Sequence, residues 1–401
     1  MNLCFFTDEY SSNFKPLSLT RPLDDFRLGI LTLREKWIKL LKPNCWVRQV
    51  ENHLSEIFPK GEILNNLDCI WINSRFLPNA ALIKSIQSFS LNDALVWNDQ
   101  LIACKITAES TKECLASEQI PSNLNIIQSS DDPKSIKFFW DILAHNADQI
   151  AYDITLLSPS FPKKVVNNKS VIIENKEQVF IHESAHIEPN CILIATDGPI
   201  YIGPQAVIEA GAILRGPVAV CEKAEIKMAA RIFNGTTVGP VCKVGGEVNN
   251  CIFHSYSNKA HDGFTGNSII GQWSNFGANT NTSNLKNNFS LIKLPHWDSG
   301  NLYEGGVQFF GTVFSDFSKT AINTRLNTGT ICGVSSNIFC SGFPKKIIPS
   351  FTWLGEDSTI YDFDKAINAM EAMMKRRGVD LTQEYLRMMR FIFNSEYSSG
   401  G

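Results

Sequence analysis

Bulky aliphatic residues recur at every sixth position in one stretch of this chain. The series has eight members without a break: Ile202, Ile208, Leu214, Val220, Ile226, Ile232, Val238 and Val244. A spacing of six fits neither the two-residue period of a strand nor the 3.6-residue period of a helix. It is the period of a parallel β-helix, in which each face of a triangular coil contributes one inward residue in six. A β-sandwich with accidental spacing is the alternative.

Small residues and interruptions give this pattern further detail. Gly203, Gly239 and Gly245 follow members of the series, which suits the tight corners of a coil. The two stretches that break the count, around 249 to 263 and 284 to 306, are expected to be loops that project from the coil. Such loops tend to carry the binding site of a repeat fold. The series is expected to continue at these positions: Phe264, Ile270, Phe276, Phe310, Ile322, Thr328 and Val334.

Composition restricts the class of protein. A chain of 401 residues can form two domains with full cores, and its formal charge of −3 favours neither nucleic acid nor an anionic membrane as a partner. The start, MNLCFFTDEY, does not resemble a signal peptide, and no apolar run reaches the roughly 18 residues that span a bilayer. Eleven scattered cysteines without zinc-ligand spacing favour reduced thiols over a disulfide framework. We therefore expect a cytoplasmic protein.

The N-terminal third has the alternation of an α/β domain. A short apolar strand at 1 to 6 is followed by a polar loop and an amphipathic helix from 30 to 41. The connection carries Arg21 and Arg27, and α/β folds present cations and helix N-termini to phosphate in such connections. The alternative is that both arginines pair with nearby acidic side chains on a solvated surface.

A second strand, DCIWINSRFLP, ends in polar residues that begin with Asn73. Open α/β sheets place ligands at the carboxyl ends of their strands. A hairpin is predicted to turn at Asn98 and Asp99, and a helix from 138 to 157 closes the domain. The expected domains are an α/β nucleotidyltransferase-like domain at 1–160, a left-handed parallel β-helix at 161–352 and a helical segment at 353–401.

The helical segment is predicted to contain two helices. Ile367, Met370 and Met374 share one face of the first, which stops near Gly378. Asp380 and Gln383 suggest a capping box for the second, which carries Leu386 and Met389. We expect the two helices to cover the end of the coil or to form a contact between subunits.

The densest cluster of candidate catalytic residues lies between 258 and 284. His261 is followed by an unusual density of asparagines that includes Asn275 and Asn284. An imidazole that titrates near neutrality can take a proton from an amine or hydroxyl that attacks a thioester. Backbone NH groups at the corners could hold the developing oxyanion. The alternative is that His261 only satisfies a loop backbone and the asparagines only tolerate left-handed corner geometry.

These residues carry a family resemblance that covers nearly the whole chain. The motifs are LTRPLDDFRLGILTLREKW, INSRFLP, CKVGGEV and NKAHDGFTGNSIIGQWSNFGANTNTSNLKN. They resemble the bacterial sugar nucleotidyltransferases joined to a left-handed β-helix acyltransferase. The closest resemblance is to the shorter form, found in the Bacteroidetes, of the bifunctional UDP-N-acetylglucosamine pyrophosphorylase and glucosamine-1-phosphate N-acetyltransferases.

For the coil, the resemblance implies an acetyl transfer site between the subunits of a homotrimer. His261 would be the general base, and Asn275 and Asn284 would hold the sugar phosphate or orient the amine. Acetyl-CoA would be the cosubstrate. Phosphate groups and the coenzyme A arm would be held by four further residues: Lys259, Lys286, Ala278 and Thr312.

For the N-terminal domain, the resemblance implies uridylyl transfer from UTP with Mg²⁺, and the chain departs from the family's pattern there. The glycine-rich loop of the larger enzymes is absent, and Thr20 and Arg21 belong to the recognisable remainder. Asn73 stands where the family has a magnesium-binding Asp, so that Asp99 or Asp141 would have to supply the charge, and the sequence assigns no metal ligand. Thr20, Arg21, Arg27 and Asn73 are the candidates for nucleotide or phosphate binding.

The expected function is amino-sugar nucleotide synthesis by a transferase with small-molecule substrates. The coil would acetylate glucosamine-1-phosphate or a similar amino sugar phosphate, and the N-terminal domain would transfer uridylyl to the product. Two alternatives remain open. One is a nucleotidyltransferase whose β-helix serves only as a trimerisation scaffold, and the other is a sugar-nucleotide-binding protein without catalytic activity.

Overall fold

The computed structural model describes residues 1–65, 67–164, 166 and 168–397. Contacts divide the chain into two compact units. The first consists of Met1–Phe14, Arg21–Phe26 and Leu31–Asp141, and the second consists of Lys15–Thr20, Arg27–Ile30 and the chain from Ile142. The expected domain boundaries at 160 and 352 stay predictions.

The first unit is built on one mixed six-stranded sheet. Its strands are β1 (Asn2–Phe6), β2 (Cys45–Arg48), β3 (Cys69–Asn73), β4 (Asp93–Trp97), β5 (Gln100–Ile106) and β6 (Asn125–Gln128). Their order in the sheet is β2-β1-β3-β5-β4-β6, and only β5 runs antiparallel to its neighbours. The helices are α1 (Leu33–Leu41), α2 (Ala80–Gln87), α3 (Ala108–Ser117) and the first residues of α4 (Phe139–Leu157).

Local sequence determines most of these elements. Thr32 caps α1, because its hydroxyl accepts from the backbone NH of Glu35 while the Glu35 carboxylate accepts from the NH of Thr32. The predicted hairpin is confirmed between β4 and β5, where Asn98 and Asp99 have φ angles of 47° and 62°. The weakly patterned segment from 106 to 135 contains α3 and β6, and neither has a continuous apolar face from which it could be predicted.

The second unit contains a coil of short parallel strands. They are β7 (Ile172–Glu174), β8 (Val179–Ile181), β9 (His186–Ile187), β10 (Ile192–Ile194), β11 (Ile200–Ile202), β12 (Val207–Ile208), β13 (Ile213–Arg215), β14 (Val218–Val220), β15 (Glu225–Ile226), β16 (Arg231–Ile232), β17 (Thr236–Val238), β18 (Lys243–Val244), β19 (Glu247–Asn249), β20 (Ile252–Ser255), β21 (Asn258–Lys259), β22 (Phe264–Gly266), β23 (Ile269–Gln272), β24 (Asn281–Thr282), β25 (Thr312–Phe314), β26 (Lys319–Thr320), β27 (Arg325–Leu326), β28 (Thr330–Cys332), β29 (Asn337–Ile338), β30 (Ile347–Ile348) and β31 (Thr352–Leu354). A last strand, β32 (Ser358–Ile360), pairs antiparallel with β31. The helices α5 (Phe363–Lys375) and α6 (Gln383–Tyr397) follow.

The predicted parallel β-helix is confirmed by the strand register. Ile202 stacks on Val220 and Val220 on Val238, while Ile208 stacks on Ile226 in the neighbouring sheet. All eight members of the six-residue series lie in one core cluster and are at most 1% exposed. Each coil therefore buries its aliphatic side chains on those of the next coil.

Cysteines fill part of the same interior. All eleven are free thiols, and Cys242, Cys251 and Cys332 belong to the core of the coil. Burial raises the pKa of each of these three thiols to about 12. They are therefore protonated at neutral pH and pack as small apolar residues.

The expectation of a loop from 249 to 263 is wrong. Strands β20 and β21 lie in this stretch and pair with β17 and β18. Val220 stacks on Val238, eighteen residues further on, whereas Val238 stacks on Phe253. A shortened coil, and not a projecting loop, interrupts the six-residue count. The loop expected from 284 to 306 is confirmed between β24 and β25, where two isolated antiparallel bridges pair Ile292 with Val307 and Pro295 with Leu302.

The expected continuation of the series after this loop is out of register. Phe314, Leu326, Cys332 and Ile338 face the core, whereas Ile322 is 68% exposed. The inward positions after 314 include a threonine and a cysteine, so a search for large aliphatic residues selects the wrong frame.

Both predicted C-terminal helices are present. Met370 and Met374 of α5 and Met389 of α6 are buried, in agreement with the expected apolar faces. The expected cap at Asp380 is wrong, because the Tyr385 backbone NH donates to the Thr382 hydroxyl at 3.3 Å and α6 begins at Gln383. Within the described part of the chain, no helix combines the length and the apolar character that a membrane crossing requires.

The tight stacking of the coils predicts a strong effect of one added methyl group. A Cβ atom at Gly239 would lie 1.9 Å from the His254 carbonyl oxygen. We expect Gly239→Ala to lower the free energy of unfolding by about 1–3 kcal/mol, because the neighbouring coil has to move. Gly342→Ala is the matched control, since a Cβ there meets nothing within 4 Å. Denaturant titrations of the two variants measure the difference, and equal stabilities would contradict it.

Candidate active site

His261 lies between β21 and β22 and is exposed at the mouth of a cleft in the second unit. The cleft has a volume of about 590 Å³. It is lined by corner residues of neighbouring coils and by the end of α5: Lys243, Asn258, Ala260, His261, Asn275, Phe276, Gly277, Ala278, Ile322, Arg376 and Arg377. Three of these residues are cationic, and none of the described residues that line the cleft carries a carboxylate. The lining therefore favours an anionic ligand beside the imidazole.

A chain of hydrogen bonds orients the amides of the cleft. The Arg377 guanidinium donates through Nη2 to Oδ1 of Asn258 at 2.9 Å. The other side of that amide, Nδ2, lies 3.5 Å from Oδ1 of Asn275. The side chains of two stacked corners are therefore aligned by an arginine that lies more than a hundred residues further along the chain.

Lys259 holds the backbone of the histidine from inside the coil. It stacks on Val244 at an inward position, where the preceding coils carry aliphatic residues, and it is 2% exposed. Its Nζ donates to the carbonyl oxygens of His261 at 2.7 Å and Gly245 at 3.1 Å. Burial lowers the pKa of the Lys259 ammonium to about 8, although the neighbouring Asp262 and Cys251 act in the opposite direction.

The structure brings together only part of the predicted acyl site. Asn275 and Ala278 line the cleft with His261. Lys259 is adjacent, but its burial argues against a role as a phosphate partner. The three cations of the cleft, Lys243, Arg376 and Arg377, were missed by the sequence analysis, which expected the terminal helices to cover the end of the coil or to form a contact between subunits.

Three other candidates lie outside this cleft within the chain. The Asn284 amide donates to Oδ1 of Asn267 at 2.8 Å, and the Lys286 ammonium donates to the Leu291 carbonyl at 2.6 Å. Thr312 is fully buried, and its hydroxyl donates to the carbonyl of Thr330 at 2.7 Å. Thr312 therefore supports the packing between coils.

In the first unit, polar residues meet where β1 and β3 end. These strands are neighbours, and β2 lies on the other side of β1, so the strand order reverses at this point and defines the usual ligand crevice. Asn73 is fully buried there and donates to the Asp8 carboxylate at 2.8 Å. The buried Arg75 guanidinium donates to the same carboxylate through Nε at 2.7 Å and lies over the Tyr10 ring.

The other nucleotide candidates already have protein partners. Arg21 is 2% exposed and lies 3.6 Å from the Asp25 carboxylate, so the expected alternative of ion pairing holds, but in a buried setting. The Thr20 hydroxyl donates to the Leu17 carbonyl at 3.2 Å. Arg27 belongs to the second unit, where its Nε donates to the His254 carbonyl at 3.3 Å. Of the four candidates, only Asn73 lies at the carboxyl end of a strand.

The residues of this crevice do not fit a magnesium ion held by the protein. Mg²⁺ requires oxygen ligands that are free to coordinate, and the Asp8 carboxylate is bound by the Arg75 guanidinium. Within the described residues, no group of three or more His, Cys, Asp and Glu side chains could hold a metal ion.

The α/β domain has a family match. Residues 3–160 match the family model described as sugar nucleotidyl transferase. This match confirms the resemblance in the N-terminal part and classes the chain as a transferase by that domain. The sequence has no significant match among curated proteins.

Solved structures similar to this chain include acyltransferases. UDP-N-acetylglucosamine acyltransferase from Campylobacter jejuni is 12% identical over 56% of this chain and 94% of its own, with a TM-score of 0.22. AntD, an N-acyltransferase from Bacillus cereus in complex with dTDP and 3-hydroxybutyryl-CoA, is 12% identical over 56% and 96%, with a TM-score of 0.21. LpxA from Acinetobacter baumannii is 18% identical over 58% and 85%, with a TM-score of 0.19. Such low similarity assigns no activity to this chain, and the β-helix is established by its own strand register.

The buried ammonium of Lys259 predicts a pH-dependent cost to stability. Because its pKa is lower in the folded state than in the unfolded chain, the unfolded chain binds more protons between about pH 8 and pH 10.5. The stability of the wild-type protein relative to Lys259→Met should therefore rise by about 3 kcal/mol between pH 7 and pH 10.5. Denaturant titrations of both proteins across this range measure the difference. A constant difference would show that Lys259 has the same pKa in the folded and the unfolded state, and it would contradict the prediction.

Proposed function

We propose that the β-helix transfers the acetyl group of acetyl-CoA to the amine of glucosamine-1-phosphate or a similar amino sugar phosphate. The observation that carries the proposal is the cleft that combines an exposed imidazole, aligned amides and three cations. A thioester is an activated acyl donor, so a base and a binding surface for the two anionic substrates are sufficient. The reaction would take place in the cytoplasm.

The chemical step assigns one role to each group. The amine nitrogen attacks the thioester carbonyl carbon, the new C–N bond forms, and the C–S bond breaks. His261 accepts the proton that the amine loses and returns it to the departing thiolate sulfur. Asn275 lies on the same cleft wall and can bind the sugar phosphate or orient the amine. Lys259 fixes the backbone of the base from inside the coil.

The proposal predicts a large effect of removing the imidazole. His261→Ala should lower acetyl transfer by about a hundredfold or more, the scale of a lost general base. Release of free thiol from acetyl-CoA with glucosamine-1-phosphate measures the rate. His186→Ala is the matched control, because His186 is an exposed histidine on β9, near the start of the coil, and does not line the cleft. Unchanged turnover in His261→Ala would contradict the role of His261 as the general base.

The oligomeric state is part of the same proposal. Asn284 and Lys286 lie outside the cleft of their own chain, so they would serve catalysis only in the cleft of a neighbouring copy. We therefore propose a homotrimer with one cleft at each contact between coils. Light scattering that gives the mass of one chain would contradict it.

Uridylyl transfer from UTP to N-acetylglucosamine-1-phosphate is the second activity that we propose, and the family match of residues 3–160 supports it. The nucleotide would enter the crevice at the ends of β1 and β3, where the Asp8 and Arg75 pair lies. Any magnesium would arrive with the nucleotide, since the described side chains of the crevice do not form a site for it.

A coupled assay separates the two activities and the two alternatives. With UTP, magnesium and supplied N-acetylglucosamine-1-phosphate, wild-type protein and His261→Ala should release pyrophosphate at equal rates, because the histidine belongs to the other reaction. Thiol release is measured separately with acetyl-CoA and glucosamine-1-phosphate. If the wild type releases pyrophosphate but no thiol, the β-helix would serve only as a scaffold. If the wild type releases neither product, the result would favour a sugar-nucleotide-binding protein without catalytic activity.

A further inference from the structure

The end of α5 brings two adjacent arginines to the His261 cleft. Arg376 is the C-cap residue of the helix and is exposed, while Arg377 is half-buried. Both line the cleft, and so does Lys243 from a corner of the coil. Lys243 forms an ion pair with Glu225, whose carboxylate lies 2.7 Å from its ammonium group. The arginines therefore supply most of the positive charge that a ligand would meet.

A purely structural role explains only part of this arrangement. Cations near a helix C-terminus interact favourably with the helix dipole, and Lys375 in the last turn of α5 already fulfils that role. Arg377, by contrast, is directed away from its own helix. Its Nη2 donates to the side chain of Asn258, which belongs to β21 of the coil and lines the cleft.

The helix that carries the arginines is firmly held on the coil. Phe363 at the start of α5 packs against Phe351 of the coil and Phe393 of α6, with ring centroids 5.8 and 5.3 Å apart. The Tyr397 hydroxyl at the end of α6 donates to the carbonyl of Ser350 at 2.6 Å. The packing fixes the end of α5, and the hydrogen bond to Asn258 holds the Arg377 guanidinium before any ligand binds, which reduces the entropic cost of binding.

We infer that Arg376 and Arg377 form the phosphate-recognition element of the His261 cleft. Guanidinium groups bind phosphate oxygens through parallel hydrogen bonds, and a cleft whose described lining residues carry no carboxylate offers them no competing anion. The identity of the ligands rests on the proposed acetyl transfer. The shared chemistry is a phosphate monoester, and it comes from one of two sources, the sugar 1-phosphate or the 3′-phosphate of coenzyme A.

Binding measurements without turnover test this inference independently of catalysis. Calorimetry compares glucosamine-1-phosphate with glucosamine, and coenzyme A with its 3′-dephospho form, on the full chain. In the wild type, at least one phosphorylated ligand should bind more tightly than its partner. In the double variant Arg376→Gln and Arg377→Gln, that advantage should fall by about tenfold to a hundredfold, the scale of lost charge-assisted hydrogen bonds. The pair that loses its advantage identifies the source of the phosphate.

Matched variants distinguish recognition from general electrostatics. Lys375→Gln removes one exposed charge from the same helix end outside the cleft, and it should leave the phosphate advantage unchanged. Arg377→Lys keeps the charge but loses the planar donor pair, so it should weaken binding in part. Thermal melting of each variant checks that α5 stays docked.

Three outcomes would overturn the inference: equal affinity of both ligand pairs in the wild type, an undiminished phosphate advantage in the folded double variant, or an equal loss in Lys375→Gln. If the wild type releases no thiol but its phosphate advantage depends on the arginines, acetyl transfer fails and the phosphate site stands. If thiol is released and the arginines have no effect on binding, acetyl transfer stands and the phosphate site fails.

Discussion

The stacking of inward aliphatic side chains between consecutive coils is the constraint on which the rest of the second unit depends. Val220 between Ile202 and Val238, and Ile226 between Ile208 and Val244, have no access to water. Because the strands between corners are only two to four residues long, backbone hydrogen bonds alone give each coil little independent stability. Position along the coil therefore determines which corner residues meet, and the His261 cleft is one such meeting of corners.

Lys259 places a charged group at an inward position of this apolar stack. An ammonium in an aliphatic column carries a desolvation cost, which the lowered pKa of Lys259 reflects. The hydrogen bonds it makes are directed at the backbone carbonyls of His261 and Gly245. Stability is thus reduced at a coil where a side chain of the proposed chemistry has to be held, a pattern that is typical of functional sites.

In the first unit, the charged group at the ends of the central strands is also bound by the protein itself. The Asp8 carboxylate, which could have served a cation, is bound by Arg75, and Asn73 donates to the same carboxylate. Charge in the crevice is thereby balanced by the protein itself. The nucleotide of the proposed reaction would compete with Asp8 for the Arg75 guanidinium, so its phosphates would bind the arginine directly.

The amino-acid sequence by itself determined the coil, because a six-residue period is a local pattern that any part of the series expresses. It also selected His261 and Asn275, which lie close together in sequence on adjacent corners. After Val244 the predicted positions Ile270 and Phe276 do face the core, but the frame was lost after the loop from 284 to 306, where the inward positions are not all aliphatic. Only the tertiary structure decided that Lys259 points inward and that Arg377, 119 residues away, reaches Asn258. The physical reason is that side-chain direction depends on the accumulated register of the coils, and the docking of α5 depends on contacts that no local pattern contains.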